Sequence, residues 1–316
     1  MKRTLVLVAL IILSVGLLYA GGEKESPSTG TEDRTEETMS EEPKEVVELK
    51  WANSLPADQF DSKYFDSIAK RVLEETDGIV EITVHHGGTL GPEMEMYQLL
   101  RAGSVAFLNS AIAGMARFYE PINVLALPFV FNDYDHYKRF EADPYIQELY
   151  TSIIPEQTGI RLIAPMVNGR RCLTTNSVQP NVPSDMKGVK IRSMSSEAAQ
   201  FMVRTLGATP VPLDVSDLYM AMQTGMVDGQ ENPPNVIIMY SFYEVQNNLV
   251  LTFHAFNIGA IYMSEKAWNQ IPSKYQPIVK KIFEEEMDEF ALGVLEREAK
   301  DIQKLKEEYG MNIVEP

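Results

Sequence analysis

Arg192, Arg171 and Asn232 are the side chains whose type and position in the chain point to binding chemistry. A guanidinium is a planar fork of donors that fits a carboxylate through two parallel, charge-assisted hydrogen bonds. Arg192 closes the run Val189-Lys190-Ile191-Arg192, where Val189 and Ile191 share one strand face and leave Arg192 on the other, at the strand's exit. Arg171 ends Val167-Asn168-Gly169-Arg170-Arg171, after an apolar run from Leu162, where the chain is expected to cross between lobes. Ligands of open α/β sheets sit beyond the carboxyl ends of the strands, so both arginines stand where a ligand would meet them. On pattern alone, the ordinary reading of an arginine in an acidic protein is a solvated surface charge. Asn232 lies in Asp228-Gly-Gln-Glu-Asn-Pro-Pro, whose prolines hold it extended and then permit a helix start. It is either a helix cap or a cleft-facing amide that donates and accepts at once.

Other chemistries find little support. The single cysteine, Cys172, allows no intramolecular disulfide and no Cys-rich zinc site. The four histidines, His85, His86, His136 and His254, have no metal-ligand spacing, and neighbours 85 and 86 face opposite ways on a strand. No Gly-x-Ser-x-Gly, phosphate-binding loop or zinc signature is present, so the sequence gives no grounds for an enzyme and implies no cofactor or metal. A formal net charge of −17 would repel phosphate backbones, which argues against nucleic-acid binding. An anionic ligand must therefore meet a local cluster of positive charge.

The elements that would position these residues are legible. Val46–Ala52 reads as a strand, Asp61–Thr76 as a helix stopped by Asp77-Gly78, and Ile79–Val84 as a second strand. A helix then starts around Pro92 and runs to Gly103, before a strand at Val105–Leu108. This β-α-β-α-β order implies a mainly parallel sheet with helices on its faces. A faint echo follows: Gly78-Ile-Val-Glu-Ile resembles Gly188-Val-Lys-Ile-Arg, and Leu100-Arg-Ala-Gly-Ser-Val-Ala resembles Met222-Gln-Thr-Gly-Met-Val-Asp. It favours two lobes of similar architecture over one large sheet. Ser273–Tyr309 has a helical pattern interrupted only by Gly293; about 36 residues would reach ~54 Å, enough to run across both lobes. Two helices bent at Gly293 are the alternative.

At the N-terminus, Met1-Lys2-Arg3 precedes an apolar run from Leu5 to Tyr19, the order of a secretory signal peptide, with Ala20 before a cleavage point and Leu18 an imperfect residue at position −3. An uncleaved run would serve as a short membrane anchor. Residues 21–45, rich in Gly, Ser, Thr, Pro and Glu, read as a disordered acidic linker. The body of the protein is expected outside the cytoplasm, in the periplasm.

Three stretches together resemble a known family: Asp185-Met-Lys-Gly-Val-Lys-Ile-Arg-Ser-Met, Leu206-Gly-Ala-Thr-Pro-Val-Pro-Leu, and Leu218-Tyr-Met-Ala-Met-Gln-Thr-Gly-Met-Val-Asp-Gly-Gln-Glu-Asn-Pro. They are similar to the substrate-binding (DctP-type) subunits of tripartite ATP-independent periplasmic (TRAP) transporters, in the branch that includes dicarboxylate and sialic-acid binders. Leu90-Gly91, Gly103-Ser104, Ala126-Leu127-Pro128-Phe129 and Asn168-Gly169-x-Arg171 agree, so the likeness spans nearly everything after the linker. The resemblance implies an α/β, two-lobed, periplasmic-binding-protein-like fold with a ligand cleft and a long helix spanning both lobes. The expected division is 46–168 with 257–296 for the first lobe and 169–256 with 297–316 for the second. It also implies that Arg192 makes the main bidentate contact to a ligand carboxylate, with Arg171 beside it and Asn232 completing the polar set. In the first lobe, Asn53 and Asn109 fall where the family touches the variable end of its ligand. Val215 stands where sialic-acid binders carry an aromatic residue, which points to a smaller sugar acid, hydroxy acid, keto acid or dicarboxylate. The implied partners are that small carboxylate and the transporter's integral membrane subunits. Docking on a sensory receptor is the alternative.

Overall fold

The computed structural model describes residues 45–316, so the signal-like run and nearly all of the acidic linker lie outside the described residues. The predicted opening is present: β1 (Val47–Ala52), α1 (Phe60–Glu75), β2 (Val80–His85), α2 (Glu93–Ala102) and β3 (Phe107–Ala111). In α1, Phe65, Ile68, Ala69 and Val72 recur at helical spacing, and all are buried in the first lobe's core. Gly103 ends α2 in the left-handed conformation at φ 84°, which a side chain would resist. Strands β2 and β3 both pair parallel to β1. At the centre, the Trp51 ring packs 4.8 Å from Phe65, 5.6 Å from Phe107 and 5.3 Å from Phe283, centroid to centroid.

Short helical segments lead to β4 (Ile160–Thr175), and a second parallel unit follows: β5 (Lys190–Ser193), α3 (Glu197–Thr205), β6 (Thr209–Pro212), α4 (Val215–Gln223) and β7 (Gly229–Asn232). Strand β5 lies between β6 and β7, parallel to both, as β1 lies between β2 and β3. The sequence echo around Gly103 and Gly225 therefore marks equivalent helix-to-strand turns. The echo of Gly78 and Gly188 does not, because Gly78 introduces β2 while Gly188 precedes β5, the counterpart of β1.

Two long antiparallel strands join the units. β8 (Asn248–Ser264) pairs with β4 from Ile160↔Ser264 to Thr175↔Asn248, giving the order β2-β1-β3-β8-β4-β7-β5-β6, with β9 (Asn312–Val314) beside β8. The third crossing element, α5 (Gln276–Glu307), is one helix of 32 residues that passes through Gly293, about 48 Å long. Its Val279, Ile282, Phe283, Met287 and Phe290 are buried in the first lobe's core, and its Leu305 in a cluster with Leu218, Met222 and Leu249 of the second. Among the described residues no helix is long and apolar enough to cross a membrane.

Candidate ligand-binding cleft

Arg171 and Asn232 meet where β4 loses its regular register, and Arg192 lies near enough to feel the charges of Glu231 and Arg171. Pairing with β8 shifts between Val167 and Arg170 and again between Arg171 and Leu173. Gly169 sits in the first shift at φ 86°, and a Cβ there would lie 3.0 Å from the Pro233 Cβ. A bulge with a left-handed glycine bends a strand and re-aims its side chains, which gives the Asn-Gly-x-Arg pattern a physical reason. The Arg170 backbone N–H donates to Glu298 of α5 at 3.0 Å, and its guanidinium also bonds Glu298 and lies 4.0 Å over the Phe253 ring. Arg170 is partly exposed and ties β4 to α5.

Arg171 is buried and all but one of its five donors are engaged by the protein, the second N–H of Nη1 having no acceptor among the described residues. Nε and Nη2 form a fork on the Glu231 carboxylate, the latter at 2.9 Å; Nη2 also reaches Asn232 Oδ1 at 3.1 Å, and Nη1 donates to Asn257. Burial pushes the fully enclosed Glu231 carboxyl up, but the Arg171 guanidinium and His254 more than reverse this and hold it at about 2. His254 Nε2 stands 3.5 Å from that carboxylate and, among the described residues, has no hydrogen-bond partner. Asn232 closes β7, where it pairs with Cys172 of β4, and its amide is fixed by Arg171 on one side and Gln230 on the other. It is a strand-end amide; Pro233 takes the cap position of the following turn.

Arg192 differs. It is only 5% exposed, yet Nε donates to Leu213 O at 2.9 Å and, among the described residues, neither terminal nitrogen has a protein acceptor or a carboxylate within 4 Å. Burial pulls its pKa down to about 10, opposed by Glu231 and Asp214 and assisted by Arg171, so the group stays cationic at neutral pH.

A small cavity opens where the lobes meet. It is lined by Ala111 and Ile112 of the first lobe, Met194 and Met202 of the second, and Arg171 and Asn257 of the crossing strands. Arg192 is not among the lining residues; it lies near the end of β5, two positions before Met194. The lobes also touch directly, Arg117 Nη2 donating to Ser195 Oγ at 3.0 Å.

Asn53 directly follows β1, whereas Asn109, expected at the end of its strand, lies in the middle of β3 opposite Ile261, and both are engaged by the protein. Asn53 Nδ2 donates to Ser62 Oγ and His86 Nδ1, both at 2.9 Å, and its Oδ1 accepts from Leu55 N–H and Asn109 Nδ2, which fills the amide's four positions. Asn109 Oδ1 accepts from the Trp51 indole at 3.1 Å, and one of its amide protons has no acceptor among the described residues. Val215 begins α4, half-buried against the second lobe's core. Glu231, His254 and Asn257 were not singled out from the sequence. Glu231 stood inside the quoted motif, but only the fold reveals that residues 171 and 231 are neighbours.

The family model of the bacterial extracellular solute-binding proteins, family 7, matches residues 51–316. The chain belongs to this family. Among curated family 7 relatives, the sialic acid-binding periplasmic protein SiaP of Vibrio cholerae is 28% identical over 249 residues, 79% of this chain and 77% of that protein. The C4-dicarboxylate-binding periplasmic protein DctP of Rhodobacter capsulatus is 27% identical over 245 residues, covering 77% and 72%. A TRAP periplasmic solute-binding protein from Desulfovibrio salexigens, solved with bound orotic acid, superposes with a TM-score of 0.79 at 26% identity, covering 85% of this chain and 86% of that one. Another, from a Sulfitobacter species with bound beta-D-galacturonate, gives 0.78 at 26% identity, covering 85% and 88%. This family 7 chain is therefore a solute-binding protein of the TRAP type with the two-lobed α/β fold, and it is not an enzyme.

Proposed function

We propose that this protein captures a small organic acid outside the cytoplasm by docking its carboxylate on Arg192, and that it hands the acid to the membrane subunits of a TRAP transporter. One observation carries this reading: a buried guanidinium with two terminal nitrogens unclaimed by any described acceptor. Desolvating a cation without a partner is unfavourable, and a carboxylate is the group that restores both charge balance and fork geometry. Arg171 is neutralised by Glu231, so its role is to fix Asn232 and add a positive field. Asn53 and Asn109 frame the first-lobe wall, Asn109 with one donor to offer, and Val215 sets the width at the second.

The lobes are taken as 46–168 with 257–296, and 169–256 with 297–316. Three crossings near their boundaries, β4, β8 and α5, form the hinge, and closure shields the ion pair from water. Orotic acid and beta-D-galacturonate, found in the neighbouring structures, support a small acid as cargo. Calorimetric titration with a panel of uronates, keto acids and C4-dicarboxylates tests the reading. Loss of a buried charge partner costs about 2–5 kcal/mol, so Arg192→Ala should weaken the best ligand by at least roughly thirtyfold. Arg192→Lys should weaken it as well, because an ammonium lacks the fork. An unchanged dissociation constant in either variant refutes the assignment.

A further inference from the structure

A second buried charge sits at the hinge and is absent from the binding set. Asp61, in the first turn of α1, is 2% exposed. Its Oδ2 accepts from Asn168 Nδ2 at 3.0 Å; Asn168 lies in the β4 bulge, and its Oδ1 accepts from Asn235 Nδ2. Asn235 belongs to the turn Pro234–Met239 that directly follows Asn232 and Pro233. A continuous line of side chains thus runs from the first lobe, through a crossing strand, to the second-lobe segment that carries a candidate ligand contact.

We propose that Asp61 is a proton-linked latch: it takes up a proton as the lobes close, so that mild acid favours the closed form of the ligand-free protein. The groups facing it are few. Asn168 from β4 is its side-chain donor, its own backbone amide assists, Arg297 of α5 acts from a distance, and Tyr240, beyond the Pro234 turn, is near enough that the Asp61 charge raises its pKa while the phenol itself stays neutral. Among the described residues no cation stands within 4 Å of the carboxylate; Arg297 instead lies 4.3 Å over the Phe60 ring. Burial pushes the carboxyl from its ordinary 3.8 up to about 6, against the opposing pull of the backbone amide, Arg297 and Asn168. Separating the lobes withdraws Asn235 and Tyr240 and admits water, which lowers the cost of the charged form. The proton is then bound more tightly in the closed molecule than in the open one, and by linkage acid favours closure.

The test needs no ligand, so it stands apart from the identity of the cargo. Dyes on Lys70→Cys and Lys187→Cys of the full chain report the lobe-to-lobe distance by energy transfer from pH 8 to pH 5; both lysines are exposed, whereas the native Cys172 is buried. The closed-to-open ratio should rise as pH falls, about tenfold for each unit by which the Asp61 pKa differs between the two forms. Asp61→Asn, neutral throughout, should be biased toward closure and flat across the range. Asn235→Ala, which keeps the carboxylate and cuts its line to the second lobe, should respond less than the parent. A flat profile in the parent, or a full response in either variant, overturns the proposal.

Discussion

Arg171 and Arg192 carry the same charge in the same cleft, and their surroundings give them opposite thermodynamic signs. Arg171 is forked on Glu231, and both are buried. Removing one member of such a pair leaves the other charge stranded, which costs about 3–5 kcal/mol. Arg171→Ala should therefore lower the unfolding free energy by that order in urea titrations. Arg192→Met removes a buried cation that has one hydrogen bond, and should leave the ligand-free protein at least as stable as the parent. The pH dependence of Glu231 has a definite sign: its folded pKa of about 2 lies below the ordinary 4.5. Its contribution, about 3 kcal/mol, is complete above that ordinary value and is lost as pH falls toward 2. Glu231→Gln should flatten this part of the acid limb. The alternation put Arg192 off the apolar face of its strand, but on pattern alone it read as a solvated surface charge, and only the family resemblance singled it out. That of Glu231 was not, because its neighbour in space is 60 positions away in sequence.

At the scale of elements, the helices and their stops were legible wherever local chemistry decides, as at α1 before Gly78 and α2 before Gly103. Strand β3 was expected at Val105–Leu108 and is found at Phe107–Ala111, because its ladder is supplied by β8, whose partner residues run from Met263 to Gly259. The β4 bulge was equally hidden: it depends on where β8 pairs and on Glu298 of α5 taking the Arg170 N–H. Two glycine substitutions separate these cases. Gly169→Ala forces a side chain into a left-handed conformation against Pro233, and should cost about 1–3 kcal/mol and weaken acid binding through the displaced Arg171. Gly293→Ala meets nothing nearer than 3.7 Å and lies inside a continuous helix, so it should raise stability by about 0.5–1 kcal/mol. Chemical denaturation of both variants checks the pair.

For the molecule as a whole, the chain interleaves two parallel units with three crossings, so that neither lobe is a single stretch of sequence. The internal echo and the family resemblance predicted the lobes, and crossings were expected after the apolar run from Leu162 and along the C-terminal helix, but nothing local marked β8 as a crossing strand. With a net charge of −17, the attraction of an acid to the proposed site should rest chiefly on Arg192, because Arg171 is paired with Glu231, and beyond ~8 Å it should be screened. Closure over the ligand should lower the radius of gyration measured by solution scattering when a binding acid is added, with no change for a neutral sugar of the same size. The most direct measurement is a crystal structure of the complex with the acid that calorimetry ranks first. Both carboxylate oxygens should lie within hydrogen-bonding distance of the two terminal nitrogens of Arg192, with the lobes closed over them. A carboxylate held elsewhere, with the Arg192 side chain turned to bulk water, would contradict the account.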